Sequence, residues 1–263
     1  MESSNKKKIN VNGNTYTVIY SIVIVIIVAV LLTVAATTLK PAQLRNMQIE
    51  KKENILNAIG KGQNTGTVNN KAQYIEDEYE KYIVDSYLVD LFGNTKDGDA
   101  FNTELKSELA KPAGECSLPV FVCKIEEQTR YVIQLYGKGL WGPIWGYLAF
   151  EDDFNTIAGV VFDHEGETPG LGAEINTESF QKPFTGKQIF AGDNLVSITV
   201  QKPGATLTKH TVDGISGGTI TSKGVQDMLA KNLNLYSGFF SKMRSENEKN
   251  NLTETDEKNV SNE

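Results

Sequence analysis

Between Val18 and Leu39 the chain reads "VIYSIVIVIIVAVLLTVAATTL", 22 residues without a charge. As a helix, this run would rise about 33 Å at ~1.5 Å per residue, enough for a hydrocarbon core of ~30 Å. Its β-branched residues are poor helix formers in water, but lipid forces the backbone to bond internally. A cleaved signal peptide would carry a shorter apolar core, of roughly 7–15 residues. The run therefore predicts a retained single-span anchor at 18–39, behind a polar, basic segment at 1–17. Lys6, Lys7 and Lys8 precede the span, and Lys40, Arg45, Lys51 and Lys52 follow it. The positive-inside rule therefore leaves the orientation open.

The rest of the chain is globular in character. A net charge of −7 gives a nucleic-acid partner little support. Residues 40–117 read as a membrane-proximal helical and loop region. Met47, Ile49, Ile55, Leu56 and Ile59 sit at loose helical spacing, so a helix is expected to stop near Gly60. A polar loop follows at 61–73, then a partly helical stretch at 74–90, then turn-rich sequence. The core is expected at 118–243. "LPVFVCKIE", "TRYVIQLYG", "WGYLAFE", "IAGVVFDHEG" and "LVSITVQK" are short β-rich runs bounded by turn residues. Several are apolar on both parities, as in strands buried on both faces. Val225, Met228, Leu229, Leu233 and Tyr236 then give one apolar helix face, with Thr221 or Ser222 as the natural N-cap. The charged tail at 244–263 is expected to be disordered. The fold class is α+β: one transmembrane helix, then one domain with a twisted, mostly antiparallel sheet and flanking helices.

Chemistry centres on "VDGISGGTITSKG", residues 212–224. Gly214-Ile215-Ser216-Gly217-Gly218 fits the hydrolase turn G-x-S-x-G, but that fold needs its histidine after the serine. Both histidines, His164 and His210, precede Ser216. The chymotrypsin-like order survives, yet Ile215 stands where that loop carries Asp, and neither histidine has the expected context. P-loop and dinucleotide fingerprints are missing from the stretch. Cys116 and Cys123 are not at a metal-site spacing and are equally compatible with a disulfide or two thiols. No histidine has a ligand partner at useful spacing, so no metal site is expected. What remains is a set of hydroxyls, Ser216, Thr219, Thr221 and Ser222, at a helix start, where free N–H groups favour a phosphate.

Asp213-Gly214-Ile215-Ser216-Gly217-Gly218-Thr219 resembles the D-x-x-[S/T]-G-A-T signature to which a flavin transferase esterifies FMN. "HEGETPGLG", His164 to Gly172, and "KGLWGPIWGY" resemble the C subunit of the sodium-translocating NADH:quinone oxidoreductases, as do the single span and the motif order. The resemblance covers most of residues 10–240. It implies an electron-carrying subunit with FMN held covalently on Thr219 through a phosphoester. It implies partner subunits of a membrane NADH:quinone oxidoreductase, a maturing flavin transferase and a domain on the extracytoplasmic side of a bacterial cell membrane. The G subunit of the Rnf complex shares the anchor and motifs and is the alternative. A tethered ligand-binding module without redox chemistry is the competing class.

Roles follow from that resemblance. Asp213, Ser216, Gly217 and Gly218 would be recognised by the transferase. Thr221 and Ser222 would bond phosphate oxygens or cap the helix. Glu167, Thr168, Leu171 and Gly172 would wall the isoalloxazine, with Pro169-Gly170 in a tight turn. Trp141 and Trp145 would offer flat apolar surface, and Lys202 a cation beside the flavin. Gly218 departs from the family's alanine, which would loosen the loop.

Overall fold

The computed structural model describes residues 13–62 and 68–260, the side chains of 113 and 250–260 excepted. Lys6, Lys7 and Lys8 lie outside the described residues. The described residues fall into two units, divided between Glu50 and Lys51.

In the first unit the backbone is helical from Asn14 onward, within α1 (Asn14–Ala58), and this is the one helix among the described residues apolar and long enough to cross a membrane. Its exposed surface is a band of Ile, Val and Leu. The threonine hydroxyls inside the band turn back on the helix. Thr33 Oγ1 donates to Ala29 O at 2.7 Å, Thr38 Oγ1 to Val34 O at 2.9 Å, and Thr37 Oγ1 to Thr33 O. That bonding satisfies these three threonine hydroxyls without water, as suits a lipid setting.

The second unit is built on a six-stranded antiparallel sheet in the order β2-β1-β3-β4-β5-β6. The strands are β1 (Ile83–Val89), β2 (Thr95–Lys96), β3 (Leu118–Ile125), β4 (Gln128–Lys138), β5 (Pro143–Phe150) and β6 (Ile157–His164). β4 and β5 form a long hairpin whose tip, Gly139–Gly142, is closed by the Gly139 N–H to Gly142 O bond at 2.8 Å. Two short helices border the sheet: α3 (Leu105–Glu108), and α4 (Glu178–Gln181), whose Phe180 meets Phe162 of β6 with ring centroids 6.0 Å apart. One face carries Val120, Ile133, Leu135, Ile144, Leu148 and Phe162, packed in one cluster with Val225, Met228, Leu229 and Leu233 of α5 (Thr219–Leu235). The other parity, with Phe121, Cys123 and Val132, is equally buried. Residues 51–58 of α1 and α2 (Lys71–Tyr82) lie on that side: Lys51 Nζ stands 5.2 Å from the Phe101 ring and 5.9 Å from that of Phe121. Arg130 of β4 donates to Ile59 O at 3.1 Å and to Glu151 at 3.0 Å. Burial from both sides is why the strands read as apolar on both parities.

Three expectations need correction. The sheet does not start at 118. Ile83–Val89, within the stretch read as partly helical, is β1 and pairs along β3. Its Asp85 and Ser86 mask the strand pattern because β1 lies one strand from the sheet edge and is only half covered. "LVSITVQK" does not join the main sheet. It supplies the last residue of β8 (Asn194–Leu195), paired with β7 (Phe190–Ala191), and all of β9 (Thr199–Gln201), which runs parallel to β10 (Thr211–Asp213). The charged tail is helical rather than disordered through Val260, within α6 (Ser237–Val260). Phe239 and Phe240 anchor that helix in the core, and Arg244 lies over the Phe190 ring with its guanidinium carbon 4.4 Å from the centroid. Asn247 Nδ2 donates to Asp152 O at 2.6 Å.

Tyr236, between α5 and α6, is fully buried and donates its hydroxyl to Pro119 O at 2.8 Å. Burial holds its phenol far above the ordinary value, so it stays a donor. Tyr236→Phe leaves that carbonyl unpaired and is expected to cost about 1–2 kcal/mol, seen as a lower urea midpoint at unchanged slope. Cys116 and Cys123 are both buried free thiols.

Candidate functional site

The site lies where two loops meet at the start of α5. The first follows β6. Thr168-Pro169-Gly170-Leu171 is a type II turn, closed by Leu171 N–H to Thr168 O at 3.1 Å, with Gly170 at φ +75°. The second follows β10. Gly214 N–H donates to Gln201 O at 2.7 Å and Ile215 N–H to Ser222 Oγ at 2.9 Å.

Helix α5 begins at Thr219, with Gly218 as a cap that contributes no side chain. This corrects the N-cap expectation for Thr221 and Ser222, which are inside the first turn and engaged elsewhere. Ser222 Oγ receives the Ile215 N–H, and Thr221 Oγ1 donates to Glu167 Oε2 at 2.5 Å. The first helical bond is Ser222 N–H to Gly218 O at 2.9 Å. The N–H groups of Thr219, Ile220 and Thr221 precede it, as the open donors of a helix start.

Glu167 is the strut between the loops. It is buried, and its Oε1 accepts the Trp141 N–H at 2.9 Å while Oε2 accepts Thr221. Gly139 and Gly172 bracket the carboxylate so closely that a Cβ at either would stand 2.5 Å from one of its oxygens. Burial pushes this carboxyl up, but bonds from Thr221 and the Trp141 and Gly142 N–H groups prevail, and its pKa lies below the ordinary glutamate value. His164 also fixes the loop, since its Nδ1 accepts the Glu167 N–H at 3.2 Å. A depressed carboxyl stabilises the fold above its unfolded pKa and loses that contribution as pH falls through the folded one. Stability is therefore expected to drop on acidification below about pH 4, and to drop less steeply in Glu167→Gln. Urea midpoints across the acid range measure both slopes.

Above this strut is a pocket of about 230 Å³ lined by Leu140, Glu167, Thr168, Leu171, Gly172 and the segment Gly217–Thr221. It is smaller than the ~300–1,000 Å³ of a whole-ligand site, so it suits part of a ligand whose remainder lies outside. Thr219 opens onto it and is exposed. Around it Leu140, Trp141, Leu171 and Ile220 are exposed apolar side chains, Trp141 at 70%. Trp141 is held there by its indole N–H to Thr168 Oγ1 at 3.1 Å. The glycines let the loops close. At Gly217, φ +77°, a Cβ would meet Leu171 Cδ2 at 2.7 Å.

Gly218 corrects the expectation of a loose loop. A Cβ there would stand 2.9 Å from Ile215 Cγ2 and 3.2 Å from the Leu171 carbonyl carbon. Branched Ile215 and Leu171 fill the space an alanine methyl would need.

The structure thus brings together Trp141, Glu167, Thr168, Leu171, Gly172, Gly217, Gly218, Thr219 and Thr221, with Ser216 exposed beside them and Ser222 beneath. Trp141, Ser216 and Ser222 adjoin the pocket without lining it, and two expected residues, Trp145 and Lys202, neither line nor adjoin it. Trp145 is half-buried within β5, opposite Tyr136 and Asp163, and Lys202 is exposed just past β9. Asp213 ends β10, and its Oδ1 is buried without a hydrogen-bond partner. Leu140 and Ile220 were missed by sequence reasoning. Their only signal was an apolar residue beside a glycine or at an open helix start.

A family model described as an FMN-binding domain matches residues 139–234, the span holding both loops and α5. The C subunit of the Na(+)-translocating NADH-quinone reductase of Haemophilus ducreyi is 33% identical over 232 residues, covering 84% of this chain and 90% of that one. This chain belongs to the family of C subunits of Na(+)-translocating NADH-quinone reductases. The crystal structure of the Parabacteroides distasonis C subunit matches with a TM-score of 0.69 at 41% identity, over 77% of this chain and 96% of that one. Shewanella oneidensis NqrC matches at 0.63 and 26%, over 78% and 99%. The family membership and the FMN-binding match agree with the resemblance read from "HEGETPGLG" and the loop at 213–219.

Proposed function

We propose that this chain carries one FMN, joined through a phosphoester to Thr219 Oγ1, and passes electrons within a membrane Na⁺-translocating NADH–quinone reductase. The observation that carries the reading is an exposed threonine at the first position of a 17-residue helix, set inside a collar of exposed apolar side chains. Bound FMN supplies one- and two-electron redox chemistry. Everything else falls to this chain's residues. The open N–H groups at the α5 start hold phosphate oxygens. Gly217 and Gly218 keep side chains off the approach. Leu140, Leu171, Ile220 and Trp141 give a flat ring an apolar bed. Glu167 fixes Trp141 to Thr221 and so holds the two walls together. Asp213, at the end of β10 just before the acceptor loop, is assigned to recognition by the flavin transferase.

The name shared by the relatives favours the quinone reductase over an Rnf-type G subunit, and the FMN-binding match favours a redox carrier over a bare ligand-binding module. The anchor supports lipid attachment and assembly with other membrane subunits. An extracytoplasmic domain rests on the family resemblance and is consistent with a covalent link, since a free cofactor there would be lost. The test is to co-express the full chain with a flavin transferase, denature it and illuminate the gel. A fluorescent band at this chain's mass is expected, and a dark band would overturn the reading.

A further inference from the structure

We propose that a second pocket, on the far side of the Gly139–Gly142 turn, binds an amphiphilic organic anion: one negative group on a flat apolar body. This pocket has a volume of about 640 Å³, within the range of small-molecule sites. It lies along the outer face of α5, against β4, β5 and the short helix α3. Its floor is apolar, made by Tyr136, Pro143, Met228 and Leu109. Its rim is cationic. Lys106, Lys138 and Lys231 are exposed, and among the described residues their ammonium groups have neither a hydrogen-bond nor an ion-pair partner. The one carboxylate on the rim, Asp227, is already paired with Lys223 at 2.8 Å.

Lys106, Lys138 and Lys231 line one pocket without partners on a chain of net charge −7. With the one lining carboxylate already paired, they give the pocket a local positive field that attracts an anion. A bare inorganic anion would leave the apolar floor wet, and a neutral apolar molecule would leave the lysines unused. Both features are satisfied only by a ligand that carries both. The pocket shares none of its lining with the one at Thr219. Lys138 and Gly142 face this pocket, and Leu140 of the same turn faces the other.

Naphthalene-2-sulfonate is a suitable probe, measured by equilibrium dialysis against the detergent-solubilised full chain. A single saturable site is expected, with the same affinity for Thr219→Val as for wild type co-expressed with a flavin transferase. Lys106→Gln/Lys138→Gln/Lys231→Gln is expected to weaken binding roughly tenfold or more, and Asp227→Asn to tighten it about twofold. Sulfate is expected to compete only weakly. Unsaturable uptake, or an affinity unmoved by the triple substitution, would overturn the proposal. So would binding confined to Thr219→Val, which would make the pocket part of the flavin's own bed. Displacement by sulfate at equal concentration would also overturn it, because the floor would then play no part.

Discussion

Thr219→Val is expected to remove all flavin that survives denaturation, and to leave the fold almost untouched. The hydroxyl has no hydrogen-bond partner among the described residues and the side chain is exposed, so its loss should change unfolding by no more than about 0.5 kcal/mol. A valine keeps the shape and deletes the hydroxyl proposed to carry the ester. Thr219→Ser keeps an oxygen at the same backbone position and is expected to retain fluorescence. Thr221→Val, one residue beyond Ile220, is expected to do the opposite. It strips Glu167 Oε2 of its donor and should cost about 1–3 kcal/mol while the folded fraction stays flavinylated. In-gel fluorescence and thermal melts on the same three samples separate the roles. Fluorescence lost from Thr221→Val and kept in Thr219→Val would exchange the assignments.

Gly172→Ala should be the most damaging single methyl in the site. Its Cβ would lie 2.3 Å from Thr221 Oγ1 and 2.5 Å from Glu167 Oε2, inside the bond that joins the loops. Glu167 cannot retreat, because Gly139 and the Trp141 N–H hold its other oxygen. The bond must open and leave a buried carboxylate short of a donor, at roughly 2–4 kcal/mol, or about 5–15 °C in Tm. Gly170→Ala is the informative contrast. Its Cβ meets nothing within 4 Å, so only the positive φ is penalised, at about 1 kcal/mol. Equal melting temperatures for the two variants would contradict the strut.

These two sites also show what a sequence reveals. The anchor and α5 were legible because one apolar period ran uninterrupted, and Val225, Met228, Leu229, Leu233 and Tyr236 are all buried as that period requires. The turn at Pro169-Gly170 was legible because its residues set their own dihedrals. β1 was not, because a charged helix runs straight into it and Asp85 and Ser86 break its alternation. The role of Glu167 was also hidden. As part of a motif it reads as a wall, yet its partners at 141, 142 and 221 are brought to it only by the hairpin tip and the helix start. Likewise Gly218 reads as slack until Ile215 and Leu171 are seen to fill the space beside it.

The proposed flavin link is a covalent bond at one oxygen, and peptide mapping addresses it directly. Trypsin releases His210–Lys223, which contains Thr211, Ser216, Thr219, Thr221 and Ser222. From the full chain matured with a flavin transferase, this peptide should carry the mass of one FMN less one water. Its fragment ions should place that mass on Thr219. A modification found on Ser216 or Thr221, or a peptide of unmodified mass, would contradict the account.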